Sequence, residues 1–296
     1  MNKKLKLFLW PLVWLRHKHD AYLIKHNPEK MFSIWHKRST GVPLNIDNPK
    51  TLYDKIAYMA FRTDTSEWSR LADKVRVREY VEECSYGEYL PKLYGTWEHA
   101  NDIDFDKLPN AFVIKTNNAS ATNILIRDKS TIDENAVRKQ LDKWLKDDYG
   151  YRTCQPHYSR IKPLILAEEF LGLKFGIKSL NDYKFYCVNG VPKCVIVYTN
   201  RKDNSHDMRR SIYDMNWQMH QEFLGRYAVA GSNIEKPKCF DKMKEMAVRL
   251  SSPFPFVRVD FYDINNNPIF GEMTFTPGMQ ATSTEFEEKL GEILKL

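Results

Sequence analysis

The sequence predicts an α+β fold on three observations. Short apolar runs of strand length are interspersed with amphipathic stretches at helical spacing. Asn189-Gly190 and the polar segment 263–268 each separate two strand-like runs, a pattern of antiparallel hairpins. The 296 residues are 43% hydrophobic and 13% aromatic, enough for a large core arranged as two lobes or one large unit. No repeat at a fixed spacing is present.

The elements follow in order. A short helix is expected around 52–61 and a longer one over 67–83, where Trp68, Leu71, Val75 and Tyr80 recur near helical spacing. Leu90-Pro91, Tyr94 and Trp97 lead to a short strand, and 101–109 is an acidic loop. Ala111-Phe112-Val113-Ile114-Lys115 reads as a buried strand ending on a lysine, followed by a loop over 116–123 made of Thr, Asn, Ala and Ser. Helical spacing returns over 133–149 through Val137, Leu141, Trp144 and Leu145. Pro163-Leu164-Ile165-Leu166-Ala167 is a second buried strand, running into Glu168-Glu169-Phe170-Leu171. Strands over 183–188 and 193–199 flank Asn189-Gly190. A helix over 241–251 precedes two strands, 256–262 and 269–275.

The net charge of +7 is localised. Residues 1–40 hold nine Lys/Arg against Asp20 and Glu29, while the other 256 residues carry 36 of each sign. The body is therefore not a basic nucleic-acid binder. Five cysteines, an odd number with no CxxC pair, fit free thiols in a reducing compartment rather than a disulfide scaffold. Near the N-terminus, 7–15 is an apolar run too short to span a bilayer, with Lys3, Lys4 and Lys6 before it and Arg16-His17-Lys18 after it. It reads either as a helix packed on the body or as a contact with an anionic membrane surface through Trp10 and Trp14.

The last hairpin carries the sharpest chemistry. Strand alternation sets Arg258 and Asp260 opposite Val257, Val259 and Phe261, and sets Glu272 and Thr274 opposite Met273 and Phe275. Pairing across 263–268 then places Asp260 and Glu272 side by side. Two adjacent carboxylates repel, so a cation is expected between them. Hard oxygen donors suit Mg²⁺, which brings phosphate with it, and Arg258 adds a fixed positive charge for an anionic transition state. A surface ion-pair cluster is the alternative reading.

These residues resemble a known signature. Arg258-x-Asp260 followed by Glu272-x-Thr274-x-x-Pro277-Gly278 resembles the C-terminal metal and substrate motif of ATP-grasp ligases, with Thr274 where those enzymes carry Asn. The wider string is similar to the TupA-like ATP-grasp family of bacterial surface-polysaccharide loci. The matching pieces include Asp73-Lys74-Val75-Arg76, Phe112-Val113-Ile114-Lys115, Ile161-Lys162-Pro163 and Asp182-Tyr183-Lys184-Phe185.

The resemblance implies an ATP-grasp fold, two β-rich lobes gripping ATP, with an N-terminal helical extension. It divides the chain into an extension (1–50), an N-terminal region (51–108), a nucleotide-binding subdomain (109–171) and a C-terminal subdomain (172–296). Lys74, Lys115, Ser120 and Lys184 are then expected at the nucleotide. Glu168, Glu169, Phe170 and Leu171 form the adenine-binding hinge, and Asp182 takes the ribose hydroxyls. Asp260, Glu272 and Thr274 hold Mg²⁺. Arg258, Lys115 and Arg201 serve the transferring phosphoryl group.

The implied activity is carboxylate–amine ligation through an acylphosphate, joining an amino acid to a uronic acid of a surface polysaccharide or its precursor. Cytoplasmic placement, with peripheral contact at the inner membrane face, goes with it. A sugar kinase and a non-catalytic nucleotide-binding member are the alternatives.

Overall fold

The computed structural model describes residues 3–172, 180–200 and 208–296, and of residues 3–12 the backbone only. Its helices are α1 (Lys3–His26), α2 (Pro28–Thr40), α3 (Leu52–Arg62), α4 (Ser66–Ala72), α5 (Val77–Glu83), α6 (Glu134–Leu145), α7 (Tyr149–Arg152), α8 (Pro156–Ser159), α9 (Phe240–Ser251) and α10 (Thr284–Ile293). Its strands are β1 (Leu93–Trp97), β2 (Phe112–Thr116), β3 (Asn123–Ile126), β4 (Ile165–Glu169), β5 (Asp182–Val188), β6 (Val191–Thr199), β7 (Arg209–Asp214), β8 (Phe256–Ile264) and β9 (Asn267–Thr274). They form two antiparallel sheets, β1-β4-β2-β3 and β7-β6-β5-β8-β9. The α+β expectation is met.

Both expected hairpins form. Asn189 and Gly190 have φ of 51° and 74°, which matches the right-handed twist of the flanking strands. The second turn is tighter than the sequence suggested. Ile264 pairs with Asn267, so Asn265 and Asn266 alone make the turn, at φ 55° and 64°. Asparagine tolerates that left-handed conformation better than most residues.

The larger sheet has an apolar back and a polar front. Phe185 pairs with Val195 and Val259, and Val259 with Met273, so these side chains share the back. Phe240, Met243, Met246, Ala247 and Leu250 of α9 belong to the same buried core, Phe240 stacking on Phe185 at 5.6 Å. Each of the Phe, Met and Leu side chains contributes roughly 1.5–3 kcal/mol on burial. That continuous apolar layer offsets the cost of the charges on the front. The smaller sheet packs Phe112, Ile114, Ile165 and Ala167 against Val137 and Leu141 of α6.

Three expectations are corrected. The single helix over 67–83 is two helices, because the Asp73 carboxylate accepts from the backbone N–H of Val75 at 2.8 Å and Arg76 at 3.3 Å. A side chain that satisfies backbone donors competes with helix continuation, so Lys74 stands at a break and not on a helix. The helix expected over 133–149 ends at Leu145, and β3 was not anticipated.

At the N-terminus, Val13, Trp14 and Leu15 are 47%, 48% and 56% exposed, so this part of the apolar run does not pack on the body. The docking contacts come later, through buried Leu23 and the fork of Arg38 on Asp20 at 2.7 and 2.9 Å. No helix among the described residues is long and apolar enough to cross a membrane.

Helix α10 crosses the start of α3 at very close range. A Cβ at Gly291 would lie 2.2 Å from the Lys50 carbonyl oxygen and 2.7 Å from Thr51 Cα. Gly291→Ala is expected to destabilise by about 1–3 kcal/mol through overpacking, despite the better helix propensity of alanine. Denaturant unfolding of the two proteins measures the difference; equal midpoints would show that the helices separate freely.

Candidate active site

Strand pairing assembles the site from positions far apart in sequence. Lys184 on β5 stands opposite Asp260 on β8, and Asp260 opposite Glu272 on β9. One pair along, Tyr186 opposes Arg258 and Arg258 opposes Thr274. All of these side chains rise on the polar front.

One extra residue makes that arrangement compatible with the core. Asp260 pairs with Glu272 but Phe261 pairs with Phe270, so Gly271 is a bulge. Phe270 thereby reaches the apolar back, while Glu272, two residues on, reaches the front. In an unbroken strand those two would share a face.

Arg258 organises the cluster. Its Nε and Nη2 donate to the two oxygens of Asp260, each at 2.7 Å. Nη2 also donates to Glu272 Oε1 at 2.8 Å and to Thr274 Oγ1 at 3.0 Å. The Thr274 hydroxyl donates to Glu272 Oε1 at 3.0 Å. Lys184 Nζ bridges Asp260 and Asp182, the latter at 2.8 Å. Two cations thus face three carboxylates, leaving one negative charge in excess.

Burial pushes the Glu272 carboxyl up, but Arg258, Lys184 and Lys74 outweigh it and hold the group at about 2. Asp260 is driven the other way: burial raises it beyond what Arg258 and Lys184 draw back. Glu272 is therefore the dependable anion, and at 41% side-chain exposure it is the one that meets solvent.

The smaller sheet contributes a second pair. Lys115 near the end of β2 donates to Glu168 on β4, on the same face. Between the two sheets lies Lys74. Its ammonium is pushed down to about 8 by burial and by Lys115, against the opposing pull of Glu272, Glu168 and Asp73. Lys74 therefore senses both halves of the cleft.

Asn117 fixes that lysine. Its side chain donates to Asp73 at 2.9 Å and to the Lys162 carbonyl at 3.1 Å, and accepts from Leu164 N–H at 2.7 Å. Trp68 of α4 stacks on Phe275 at 5.0 Å, tying the same turn to the end of β9.

The sequence-expected residues divide accordingly. Asp182, Lys184, Arg258, Asp260, Glu272 and Thr274 are brought together on the larger sheet, Lys115 and Glu168 on the smaller, and Lys74 lies within electrostatic reach of both groups. Ser120 is exposed in the 116–122 loop, where Asn117, Asn118 and Ala119 are buried. Glu169 does not converge: it follows Glu168 along β4 and so takes the opposite face, near Tyr94. Phe170 lies beneath the Arg127 guanidinium at 5.1 Å, and Leu171 follows the end of β4. Asp182 is buried against Lys184, so contact with a ribose requires that pair to open. Arg201 lies outside the described residues. Sequence reading gave no role to Tyr198, whose ring lies 5.3 Å from the Lys184 ammonium; its register with Asp182 across the Asn-Gly hairpin was the available signal.

Among the described residues no group of three or more His, Cys, Asp or Glu is arranged to hold a metal unaided. Mg²⁺ accompanying a polyphosphate needs only one or two carboxylates. The donor chemistry fits that case: oxygen donors only, and Glu272 open to solvent with both of its protein hydrogen bonds, among the described residues, on Oε1.

Two antiparallel sheets, with Lys74 between them, Lys115 on one and a carboxylate–arginine cluster on the other, define an α+β architecture of ATP-grasp type. The chain belongs to the TupA-like ATP-grasp family, whose model matches residues 54–295. Comparison with curated proteins gives no match. Among solved structures, the chain is similar to D-alanine–D-alanine ligase from Bacillus anthracis complexed with ATP, at 14% identity and TM-score 0.47, over 76% of this chain and 65% of that one. It is also similar to an L-amino acid ligase from Bacillus licheniformis, at 12% identity and TM-score 0.45, over 75% and 47% of the two chains. A phosphoribosylamine–glycine ligase from Thermotoga maritima matches at 12% identity and TM-score 0.40, over 73% and 52%. The chain thus spans less than two thirds of each of these proteins.

Lys74 gives a pH signature. A triphosphate bound beside it would stabilise its charged form and raise its pKa above about 8, so that the protonated protein would bind more tightly. Nucleotide affinity is expected to hold at neutral pH and to fall as pH rises through about 8. Lys74→Met should remove this dependence. Titration of a fluorescent ATP analogue from pH 6.5 to 9.5 checks it; a wild-type profile parallel to that of the variant would exclude Lys74.

Proposed function

We propose that this protein is an ATP- and Mg²⁺-dependent carboxylate–amine ligase that forms an amide through an acylphosphate. Family membership supports ATP as the phosphoryl donor, and the structural relatives that are ligases are in keeping with it. The observation that carries the reading is the register of Lys184, Asp260 and Glu272, with Arg258 bonded to both acids, facing Lys74 and the Lys115–Glu168 pair.

The roles of Lys74, Lys115, Lys184, Arg258, Asp260, Glu272 and Thr274 accord with their charge and position, and those of Glu168, Phe170, Leu171 and Ser120 are carried over from the family resemblance. Lys115 and Lys74 neutralise phosphate oxygens, with Lys115 exchanging Glu168 for the nucleotide. Glu168 and the Phe170–Leu171 backbone take the adenine, while Ser120 donates to a phosphate. Glu272, with Asp260 and Thr274 beside it, would hold Mg²⁺, which when bound neutralises phosphate charge. Arg258 is positioned by Asp260 to stabilise the transferring phosphoryl group, and Lys184, clamped by Asp182 and Asp260, draws the Asp260 carboxyl down against its burial.

A substrate carboxylate oxygen attacks the γ-phosphorus, the bond to the β,γ-bridging oxygen breaks, and ADP leaves. An amine then attacks the acyl carbon, phosphate departs, and the amine loses a proton. Such phosphoryl transfer needs positioning and charge neutralisation more than a protein nucleophile.

The proposed substrates are an amino acid and a uronic acid of a bacterial capsular or other surface polysaccharide, or its precursor. The proposed setting is the cytoplasm at the inner membrane face. Exposed Trp14 and the basic flanks of α1 suit a surface contact with anionic lipid.

Incubation with ATP, Mg²⁺ and a panel of uronic and amino acids tests the activity. Equal amounts of ADP and free phosphate, with an amine required, are expected. A stable phosphoester formed without amine would replace the ligase by a sugar kinase, and no nucleotide turnover at all would leave a non-catalytic binder.

Glu272→Gln preserves shape and removes one charge at the cleft. ADP formation is expected to fall by on the order of 10²-fold or more, with thermal unfolding little changed. Near-normal turnover in a coupled ADP assay would reject Glu272 as a metal-holding residue.

A further inference from the structure

Helix α2 docks on the body through a buried ionisable pair. His36 of α2 and Glu287 of α10 are 3% and 1% exposed, and His36 Nε2 meets Glu287 Oε2 at 3.0 Å. The other ring nitrogen, Nδ1, lies 2.7 Å from the Val42 carbonyl oxygen. A carbonyl only accepts, so Nδ1 carries a hydrogen. The contact at Nε2 then needs a proton of its own, held between the ring and the carboxylate. Glu287 Oε1 is buried with no hydrogen-bond partner among the described residues, so His36 is the one described side chain bonded to this acid.

The surrounding charges favour keeping that proton. Asp54 of α3 acts on both groups, and Glu288 of α10 acts on Glu287. Tyr53 of α3 is neutral, since burial raises its hydroxyl well above the ordinary value. The neighbouring cations are committed elsewhere: Arg38 of α2 to Asp20 of α1, Arg62 of α3 to Glu29 of α2, and Lys55 of α3 to the Gly291 and Leu294 carbonyls. Arg226 approaches α2 at Gly41, beyond its last turn. Burial pushes the His36 imidazole down, but the bond and charge of Glu287, with Val42 and Asp54, outweigh it and raise the group above its ordinary 6.5. Burial raises Glu287 beyond what His36 draws back. Losing the shared proton would set a buried carboxylate against a ring lone pair, an uncompensated charge out of water.

The position of α2 gives this pair a consequence. Phe32 and Trp35 form one wall of a cavity of about 480 Å³ that also meets Tyr198 and the 276–279 segment following β9. The His36 ring lies 5.5 Å from the Tyr53 ring, whose hydroxyl donates to the Gly278 carbonyl at 3.0 Å. Tyr53 thus stands between the pair and the turn that continues the strand of Glu272 and Thr274. Helix α2 precedes the family-matched residues 54–295.

We propose that His36 and Glu287 form a proton-holding latch that keeps α2 against the 276–278 turn, and that His36 is a positioning residue for that turn. The latch goes beyond the ligase reading and does not depend on what the site turns over. Protonation and docking are linked. Undocked, His36 releases its proton near the ordinary value; docked, it keeps the proton to higher pH. Docking is at full strength below that ordinary value and is lost as pH rises through the docked one. Rising pH therefore frees α2, opens the Phe32–Trp35 wall and loosens the turn.

Amide hydrogen exchange of the full chain from pH 6.0 to 9.0, each rate divided by the intrinsic rate at that pH, tests this in peptides spanning 28–40 and 276–281. Helix α2 is expected to open about tenfold or more often at pH 9.0 than at pH 6.0. The 276–281 peptide should follow it, while α9 stays protected. Glu287→Gln can donate to a neutral Nε2 and has no proton to lose, so protection of α2 should vary less than about twofold. His36→Gln, which donates to Glu287 at every pH, should flatten the profile likewise.

Wild-type protection of α2 that is flat or rises with pH would overturn the latch, as would a wild-type slope retained in both variants. Loosening of α2 without the 276–281 peptide would remove His36 as a positioning residue for the turn.

Discussion

The fork of Arg258 on Asp260 and Glu272 is the interaction on which the rest of the structure depends. It sits on a sheet face where charge is expensive, since removing one partner of a buried pair costs about 3–5 kcal/mol. Three carboxylates can share that face only because Arg258 and Lys184 lie among them. The apolar back of the same sheet supplies the compensating free energy. The site and the core are thus two faces of one object, and the alternation of β-strands writes both into the same residues.

The second constraint is the joint between the two sheets. Asp73 breaks a helix, Asn117 grips Asp73 and the start of β4, and Trp68 stacks on the residue that follows β9. These contacts hold Lys74 where it feels Glu272 and the Lys115–Glu168 pair together. Without them Lys74 would not couple the acids of one sheet to the Lys115–Glu168 pair of the other. The depressed Lys74 pKa is the electrostatic trace of that placement, since an ammonium taken out of water beside a second ammonium favours losing its proton.

Much of this was legible in the primary structure because the signals were local. Asn189-Gly190 announced a hairpin, alternation placed Arg258 with Asp260 and Glu272 with Thr274, and buried runs marked β2 and β4. What failed to show was of another kind. The helix break at Asp73 looks like ordinary helical sequence until its carboxylate is seen to hold two backbone N–H groups. Glu168 and Glu169 look equivalent, yet the strand continues through both and sends them to opposite faces. The Gly271 bulge reverses the parity of β9, and only that reversal lets Phe270 and Glu272 serve different sides of the sheet.

Amino-acid order alone settled the α+β class and the antiparallel hairpins, because turn residues and two-residue periodicity act over a few neighbours, and its motifs carried the family resemblance. Tertiary structure decided which charges meet: Lys184 with Asp260 across 76 positions, Lys74 between the sheets, and α2 over the cavity beside Tyr198. The physical reason is that electrostatic energy and burial depend on distance in space. Strand register, one bulge and one docked helix fix that distance, and none of them is a property of any short stretch of chain.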